Sequence, residues 1–259
     1  MGSFISGESK MTRVAVISDI HSNIDAFKAA LEHIDKVGVD MTICLGDIVG
    51  YGPCPNECLQ LIHDREIPCV MGNHDEYVTL LMDPRVERLR PEIRQVVEWT
   101  QGQISMADLK WLSKLPMRMN ADVFEILHAS YAPLRWSYCT DEASFKLNFE
   151  HQTALLAFCG HSHAPLVAFD LPNAEKPLVD YIRGLSHKMT LPKEHKIMVN
   201  VGSVGQPRDH DPRSCVVFYE VEARQLWLDR VPYDTKAAKE RFEAAGLPQK
   251  FADRILIGK

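Results

Sequence analysis

The fold of this chain is decided by the stretch RVAVISDIHSNID at residues 13–25. Its first five residues form an apolar, β-branched run that is typical of a buried strand. The last four, Ser22-Asn23-Ile24-Asp25, have the form of a capping box, which predicts the start of a helix. Asp19 and His21 lie between the two, at the carboxyl end of the strand, where open α/β sheets gather their ligands.

The sequence around this stretch predicts an α/β protein. Apolar residues recur at helical spacing over residues 24–37, and residues 41–45 and 67–71 have the composition of further strands. A strand, a helix and a strand in this order predict a parallel pair. Strand patterns predominate after residue 120, so we expect two sheets packed together with helices outside.

We expect a flexible tail at residues 1–12 and one domain at residues 13–259. A helical insertion is predicted at about residues 77–120, where apolar residues recur at helical spacing. A second excursion is predicted at about residues 171–196, which contain three prolines.

Composition limits the binding partners and the cellular compartment that we expect for this protein. The net charge of −6 gives no electrostatic basis for binding a membrane surface or a long nucleic acid. No stretch is apolar enough to span a bilayer, and residues 1–10 lack the apolar centre of a signal peptide. The seven cysteines include no Cys-x-x-Cys pair, which favours a reducing compartment, so we expect a cytoplasmic protein.

Five short polar strings, each at the end of an apolar run, indicate the chemistry. They are Asp19-Ile20-His21, Gly46-Asp47, Gly72-Asn73-His74-Asp75, His128 and Gly160-His161-Ser162-His163. They offer carboxylate, amide and imidazole ligands without a thiolate, which suits Mn, Fe, Zn or Ni. In an extended chain, residues two apart share one face, which would pair Asp19 with His21 and His161 with His163. Because two neighbouring divalent metal ions activate water against phosphorus, we expect a two-metal phosphoesterase.

The five strings, in this order, resemble the motif set of the calcineurin-like metallophosphoesterases: Asp-x-His, Gly-Asp, Gly-Asn-His-Asp/Glu, a lone His and Gly-His-x-His. The resemblance covers roughly residues 13–205 and favours the small prokaryotic phosphodiesterase or phosphatase branch. It implies an α/β fold, a two-sheet sandwich of the α/β/β/α type. It also implies hydrolysis of phosphomonoesters or phosphodiesters by a hydroxide that bridges two divalent metal ions.

The resemblance further implies a role for individual residues. The metal ligands would be Asp19, His21 and His163 for one ion, Asn73, His128 and His161 for the other, and Asp47 as a bridge between them. His74 would act as the general acid or contact the phosphate. Asp75 would orient His74.

The segment VGSVGQPRD at residues 201–209 resembles a loop of the bacterial branch of this family. Its glycines followed by Arg208 favour a phosphate contact through backbone amides and a guanidinium. The same composition also fits a plain connection between strands.

One departure from the family narrows the substrate class. Protein Ser/Thr phosphatases and dinucleotide tetraphosphatases carry Gly-Asp-x-Val-Asp-Arg-Gly, whereas this chain has GDIVGYG at residues 46–52 and lacks that arginine. The sequence therefore favours a small phosphate ester or a nucleotide over a phosphoprotein as substrate. It does not indicate the oligomeric state.

Two alternatives stay open. Some calcineurin-fold proteins are non-catalytic scaffolds with degraded sites, although His74 and all seven implied ligands are present here. A nuclease would use the same catalytic residues. The net negative charge, and the lack of a basic stretch interleaved with aromatic residues, do not favour a long nucleic acid as its substrate.

Overall fold

The computed structural model describes residues 11–131, 135–172, 174–182 and 188–259. The strands are β1 Arg13–Ile17, β2 Met41–Cys44, β3 Arg118–Asn120, β4 Glu125–Leu127, β5 Leu156–Cys159, β6 Leu166–Phe169, β7 Leu178–Tyr181, β8 Met189–Thr190, β9 Ile197–Asn200, β10 Ser214–Glu220 and β11 Gln225–Val231. The helices are α1 Ile24–Val37, α2 Pro55–Asp64, α3 Asn73–Thr79, α4 Pro84–Glu87, α5 Pro91–Gln103, α6 Met106–Leu112, α7 Glu142–His151, α8 Thr235–Ala244 and α9 Gln249–Ile257.

The strands form two mixed sheets. One has the order β2-β1-β10-β11-β8 and the other the order β3-β4-β5-β9-β6-β7. β1 pairs with β2 in parallel, as the βαβ pattern predicts, and β4, β5 and β9 are also mutually parallel in neighbouring pairs. The carboxyl ends of these parallel strands therefore point to one edge of each sheet.

The alternation of side chains along β1 explains the layered packing. Val14 and Val16 lie in the apolar core between the two sheets, whereas Ala15 and Ile17 lie in the core between the first sheet and the helices. A third, smaller core packs α7 against the second sheet through Phe145 and its neighbours. Helix, sheet, sheet and helix layers confirm the predicted α/β/β/α sandwich.

Helix α1 begins one residue later than the capping box suggests. Asn23, rather than Ser22, is the N-cap residue, and its side-chain oxygen accepts a hydrogen bond from the amide of Ala26 at 3.2 Å. Gly38 ends the helix with a positive φ of 73°. Residues 18–22 thus stay outside both β1 and α1 and form the turn that carries Asp19 and His21.

Three predicted segments differ from expectation. Residues 67–71 make only an isolated bridge between Cys69 and Cys44, so the predicted strand there was wrong; Pro68 has no amide to donate. The predicted helical insertion contains α4, α5 and α6, and ends in β3. The described part of the excursion contains β7 and β8, which pair with β6 and β11 at the edges of the two sheets.

The predicted tail at residues 1–12 lies outside the described residues, except for Met11 and Thr12. Residues 173 and 183–187 of the predicted excursion also lie outside them. Every helix in the described part of the chain falls short of the length and apolar character that a membrane span needs.

Candidate metal centre

The seven predicted metal ligands converge at the carboxyl ends of the strands. Asp19 and His21 follow β1, Asp47 follows β2, and His161 and His163 follow β5. Asn73 begins α3 and His128 follows β4, next to β5. The seven side chains are buried, so this edge of the sandwich gathers polar groups that the fold shields from water.

The ligand atoms form two groups that share one carboxylate. Atoms of Asp19, His21, Asp47 and His163 lie within 4.8 Å of one another, and so do atoms of Asp47, His128 and His161. The Asn73 side-chain oxygen lies 3.2 Å from Nε2 of His128, which places it with the second group. This division agrees with the arrangement that the family resemblance implies, with Asp47 between the two groups.

Each of the four histidines contacts a backbone carbonyl with one ring nitrogen. The contacts are His21 Nδ1 to Val49 at 3.3 Å, His128 Nδ1 to Leu45 at 2.8 Å, His161 Nε2 to Trp136 at 3.0 Å and His163 Nδ1 to Gln206 at 2.6 Å. Because a carbonyl oxygen only accepts, that ring nitrogen carries the proton and the other ring nitrogen presents a lone pair to the site. This is the way in which metal-ligating histidines are normally oriented.

Each of the two ligand carboxylates likewise has one oxygen bonded to a backbone amide. Asp19 Oδ2 accepts from the amide of His161 at 3.0 Å, and Asp47 Oδ1 accepts from the amide of His74 at 2.8 Å. Asp19 Oδ1 is buried and has no hydrogen-bond partner in the described structure. The remaining carboxylate oxygens therefore face the histidine nitrogens.

These atoms suit metal ions because hydrogen-bond acceptors face one another in the site. Nε2 of His21 and Nε2 of His163 lie 3.1 Å apart, and Nε2 of His163 lies 3.2 Å from Asp19 Oδ1. Nε2 of His128 lies 3.3 Å from Asp47 Oδ2. Lone pairs at these separations repel one another unless a positive species lies among them. Oxygen and imidazole donors of this kind suit Mn, Fe, Zn or Ni.

The ionisable side chains of the site shift one another's pKa values. Burial would raise the pKa of Asp19, but His163 and His21 hold it well below its ordinary value. Burial would also raise the pKa of Asp47, but His128 lowers it. Burial would lower the pKa of His128, but the Asp47 carboxylate raises it to about 10. Without another cation, a proton at His128 thus balances Asp47.

Two further histidines of the site have lowered pKa values. Burial and the charge of His128 lower the pKa of His161 to about 4. Burial and the nearby Arg208 lower the pKa of His163 to about 3. A neutral imidazole is the form that binds a metal, so these two side chains need lose no proton on metal binding.

The backbone of the ligand turns departs from the extended conformation that the sequence argument assumed. φ is 55° at Asp19, 48° at His21, 66° at His161 and 59° at His163. The two residues of each pair do meet in one site, but through left-handed turns rather than through strand alternation, so that part of the sequence argument was wrong.

Residues 201–208 pack directly against the metal ligands, as expected for a loop near the site. The amide of Gly205 and the hydroxyl of Ser203 both donate to the Asp19 carbonyl, at 2.9 and 2.8 Å. The amide of Arg208 donates to the His163 carbonyl at 3.1 Å. The segment is therefore more than a connection between strands, since it holds the two ligand turns together.

A cavity of about 320 Å³ opens over the ligands, and His74 lines it. Nδ1 of His74 is buried without a hydrogen-bond partner in the part of the chain that is described. Burial lowers the pKa of His74 well below its ordinary value; Asp47 opposes this and His21 adds to it. His74 is thus a neutral imidazole beside the ligands, with an uncommitted ring nitrogen.

Asp75 does not contact the ring of His74, which corrects the predicted orienting role. Its Oδ1 accepts from the amides of Ile48 and Val49 at 2.9 and 3.2 Å, and its Oδ2 accepts from the amide of Gly72 at 3.0 Å. Burial and the charge of Asp47 raise the pKa of Asp75 to about 6. Asp75 therefore fixes the two turns that carry Asp47 and His74, and acts on the ring only through the backbone.

Arg208 lies in the cavity wall, where the sequence placed a substrate contact. Its Nη2 donates to Gln206 Oε1 at 2.8 Å, its guanidinium lies 5.6 Å from the centre of the Tyr51 ring, and its Nε is buried without a partner among the described residues. The guanidinium is thus held in place and keeps donor capacity free.

Several residues of the cavity were not predicted from the sequence. They are Tyr51, Tyr77, Arg88, Arg90, Trp136 and Tyr138. The ring of Tyr51 packs on that of His74, with centroids 4.4 Å apart. Tyr138 stacks on His161 at 4.3 Å. No local pattern marked these residues, although GDIVGYG departs from the related phosphatases at Tyr51 itself.

Comparisons with known proteins agree with this geometry. An uncharacterized protein of Methanocaldococcus jannaschii is 34% identical over 252 residues, which cover 95% of this chain and 98% of the relative. The crystal structure of a metallophosphoesterase from Sphaerobacter thermophilus is 33% identical with a TM-score of 0.82, and covers 96% of this chain and 100% of that one. A hypothetical protein from Pyrococcus horikoshii shares the fold at 19% identity, with a TM-score of 0.75 and coverage of 96% and 99%.

The sequence profile of the calcineurin-like phosphoesterase superfamily domain matches residues 12–224, a range that holds every predicted ligand. With the two-sheet sandwich and the shared Asp47 carboxylate, these matches mean that the chain belongs to the calcineurin-like phosphoesterase superfamily.

Proposed function

We propose that this protein is a hydrolase of small phosphate esters, either monoesters or diesters, that works with two divalent metal ions. The observation that carries the proposal is the position of Asp47, whose carboxylate belongs to both groups of ligand atoms. Asp19, His21, Asp47 and His163 would hold one ion, and Asp47, Asn73, His128 and His161 the other. Mn, Fe, Zn and Ni are the candidate metals.

Two such ions, when bound, provide an activated water and neutralise charge on the phosphoryl oxygens. The chain supplies the rest. The carbonyl contacts of the four histidines fix the orientation of their rings before any metal arrives, which reduces the cost of ordering them. The buried site excludes bulk water and therefore strengthens each electrostatic contact.

His74 would donate a proton to the leaving group. In the free protein its imidazole is neutral because burial lowers its pKa. A phosphate group in the cavity would bring negative charge next to the ring and favour its protonated form. The amide of His74 donates to Asp47 at 2.8 Å, which holds the residue next to the carboxylate that links the two ligand groups.

The test is hydrolysis of a chromogenic phosphomonoester and a chromogenic phosphodiester by protein loaded with Mn, Fe, Zn or Ni. Wild-type protein is expected to cleave at least one of them. His74→Ala is expected to keep its metal content and lose roughly 100-fold or more in kcat, the usual weight of general acid catalysis. His161→Ala is expected to lose metal and rate together.

Metal analysis of each preparation separates the outcomes. Full activity in His74→Ala would contradict the proton-donor role. Wild-type protein that binds no metal and cleaves neither ester would favour the alternative of a non-catalytic scaffold. Cleavage of an oligonucleotide in preference to both esters would favour the nuclease alternative.

The expected setting is the cytoplasm, and the expected partner is a small phosphate ester or nucleotide rather than a membrane or a long nucleic acid. The cysteine pattern and the net charge of −6 support this setting. Cell fractionation with an antibody against the full chain would test it.

A further inference from the structure

The outer part of the active-site cavity carries positive charge that the metal ligands do not use. Arg88 and Arg90, in the connection from α4 to α5, line the cavity together with Arg208. Arg254 on α9 lies close enough that its pKa is lowered by burial and by the charges of Arg208 and Arg90. Three guanidiniums therefore line one opening, and a fourth lies near them.

The protein offsets these charges only in part, because the charge of Arg88 acts on the Asp83 carboxylate and that of Arg90 on the Glu92 carboxylate. Within the described ranges, none of the four arginines has a carboxylate within ion-pair distance. The buried carboxylate of Glu76 is already occupied: it pairs with Arg85 and Arg135, and its Oε2 accepts from the Trp136 indole at 2.9 Å. Like charges gathered without a carboxylate at ion-pair distance repel one another, so an anion that arrives with a ligand would be favoured here.

A phosphate that lies over the metal ligands would not need most of these arginines. Arg208 alone is close enough to the ligands to affect the pKa of His163 and of His74. Arg88 and Arg90 come from the helical insertion, which contributes no predicted metal ligand, and both are exposed. The cavity thus has an inner zone over the metal ligands and an outer zone of arginines.

Aromatic rings line the cavity as well. Tyr51, Tyr77, Trp136 and Tyr138 line the same cavity. Tyr138 is about half exposed and stacks on His161, so one of its faces is open to a ligand. Flat apolar walls of this kind accept a nucleobase or another ring.

Resting on the proposed function, we propose that the substrate is a small phosphate ester that carries a second phosphate group, which Arg88 and Arg90 bind while the first lies over the metal ligands. A nucleotide with two phosphates fits both the arginines and the aromatic wall. The cavity volume of about 320 Å³ is in the range of pockets that take a small molecule.

The test compares the binding of adenosine 5′-monophosphate with that of adenosine 5′-diphosphate and adenosine 3′,5′-bisphosphate by calorimetry. The full chain is measured with metal bound, in titrations short enough that no phosphate release is detected, and again after treatment with EDTA. We expect at least one of the two bisphosphorylated ligands to bind about tenfold tighter or more, the effect of one additional charge-assisted contact. In Arg88→Gln/Arg90→Gln, that ratio is expected to fall to about 1–2.

Arg94→Gln is the matched control. Arg94 lies on the same insertion, is exposed, and pairs with Glu98 at 2.6 Å away from the cavity. This variant is expected to keep the wild-type ratio, and all variants are expected to keep the wild-type melting temperature. With metal restored, the ratio of kcat/KM values for the same ligands is expected to follow the binding ratio.

The results separate this inference from the proposed function. Equal binding of the three ligands by the wild type, or an unchanged ratio in the double variant, would overturn the second-phosphate site even if esters are hydrolysed. Tighter binding of a short single-stranded oligonucleotide than of either bisphosphorylated nucleotide would also overturn it. A ratio that depends on Arg88 and Arg90 in a protein without turnover would support the site and count against the hydrolase.

Discussion

Left-handed backbone is concentrated at the predicted metal ligands. Asp19, His21, Asp47, His161 and His163 all have positive φ, between 48° and 66°. Such a conformation costs a residue other than glycine about 1–3 kcal/mol, although Asp and His tolerate it better than most. The turns are held because they bond to one another: the amides of Asp19 and His21 donate to the carbonyls of Gly46 and Asp47 at 3.0 and 2.9 Å. Strain at one turn is thus offset by bonds to the next.

The position of His74 depends on the absence of a side chain at Gly50. A Cβ on Gly50 would lie 2.6 Å from Nδ1 of His74, and φ at Gly50 is 89°. Gly50→Ala is therefore expected to displace the ring and lower kcat by about 100-fold, the effect of a 1 Å misplacement of a catalytic group. Metal content is expected to stay at the wild-type level, because the atoms closest to that Cβ belong to His74. Metal analysis and steady-state kinetics measure the two effects.

Gly102→Ala provides the control for that substitution. A Cβ on Gly102, inside α5, would meet nothing within 4 Å. Replacing a helical glycine by alanine stabilises a protein by roughly 0.5–1 kcal/mol, so this variant is expected to melt slightly higher with unchanged turnover. Wild-type turnover in Gly50→Ala would mean that His74 is not the proton donor, or that the loop adapts without moving the ring.

At the scale of elements, the end of α2 has the geometry of a Schellman motif without its usual glycine. The amide of Ile67 donates to the Ile62 carbonyl at 3.1 Å and that of Glu66 to the His63 carbonyl at 3.0 Å. Glu66 occupies the left-handed position with φ of 50°, and its side chain is exposed. Glu66→Gly is expected to raise the free energy of unfolding by about 0.5–1 kcal/mol, measured by urea denaturation.

Glu66→Ala separates the backbone effect from the loss of charge. Alanine keeps a Cβ in the left-handed conformation, so this variant is expected to show little of the gain. An equal gain in both variants would mean that the side chain of Glu66 is itself unfavourable and that the backbone carries no strain there.

A buried carboxylate joins β4 to the chain before β5. Glu125 accepts hydrogen bonds from the hydroxyls of Thr153 and Tyr131 at 2.5 and 2.6 Å, and from the amides of Thr153 and Ala154 at 3.3 Å. Burial would raise the pKa of Glu125, but these donors, Thr153 first, lower it. The ionised form therefore stabilises the fold fully above the unfolded-state pKa of about 4.3, and this contribution is lost as pH falls through the folded-state pKa.

Glu125→Gln is expected to lower the free energy of unfolding by about 1–3 kcal/mol at pH 7, the value of hydrogen bonds to a charged group. The difference from wild type is expected to shrink as pH falls below about 4, when the wild-type carboxyl takes up its proton. Urea denaturation at several pH values measures it, with Glu150→Gln on the exposed side of α7 as the control. A difference that does not change with pH would mean that side-chain shape, and not charge, stabilises this contact.

The same elements show what the sequence could predict. Asp19, Asp47, His128 and the two later histidines were predictable because each interrupts an apolar run at the end of a strand, and this pattern is local. The arginines and aromatic rings of the cavity were not. Trp136, for example, reaches the site through its bond to Glu76, which lies 60 residues earlier in the chain. Such placement depends on packing between distant segments, so neither segment has a periodic sequence pattern that predicts it.

At the scale of the whole molecule, the ligands come from both sheets. Asp19, His21 and Asp47 follow strands of the first sheet, whereas His128, His161 and His163 follow strands of the second. The Asp47 carboxylate reaches across, 3.3 Å from Nε2 of His128. Metal ions at this seam would therefore join the two halves of the sandwich and stabilise the fold as well as the reaction.

Metal binding is accordingly expected to raise the melting temperature. A ligand at 100 times its Kd adds about 2.7 kcal/mol to the free energy of unfolding, which corresponds to about 5–10 °C for a chain of this size. Differential scanning calorimetry with Mn, Fe, Zn or Ni, and again with EDTA, measures the shift. Asp47→Asn is expected to lose most of it, because that carboxylate belongs to both ligand groups. Asp229→Asn, at a half-buried ion pair with His33, is expected to keep all of it. A full shift in Asp47→Asn, or none in the wild type with any of these metals, would mean that no metal pair joins the sheets.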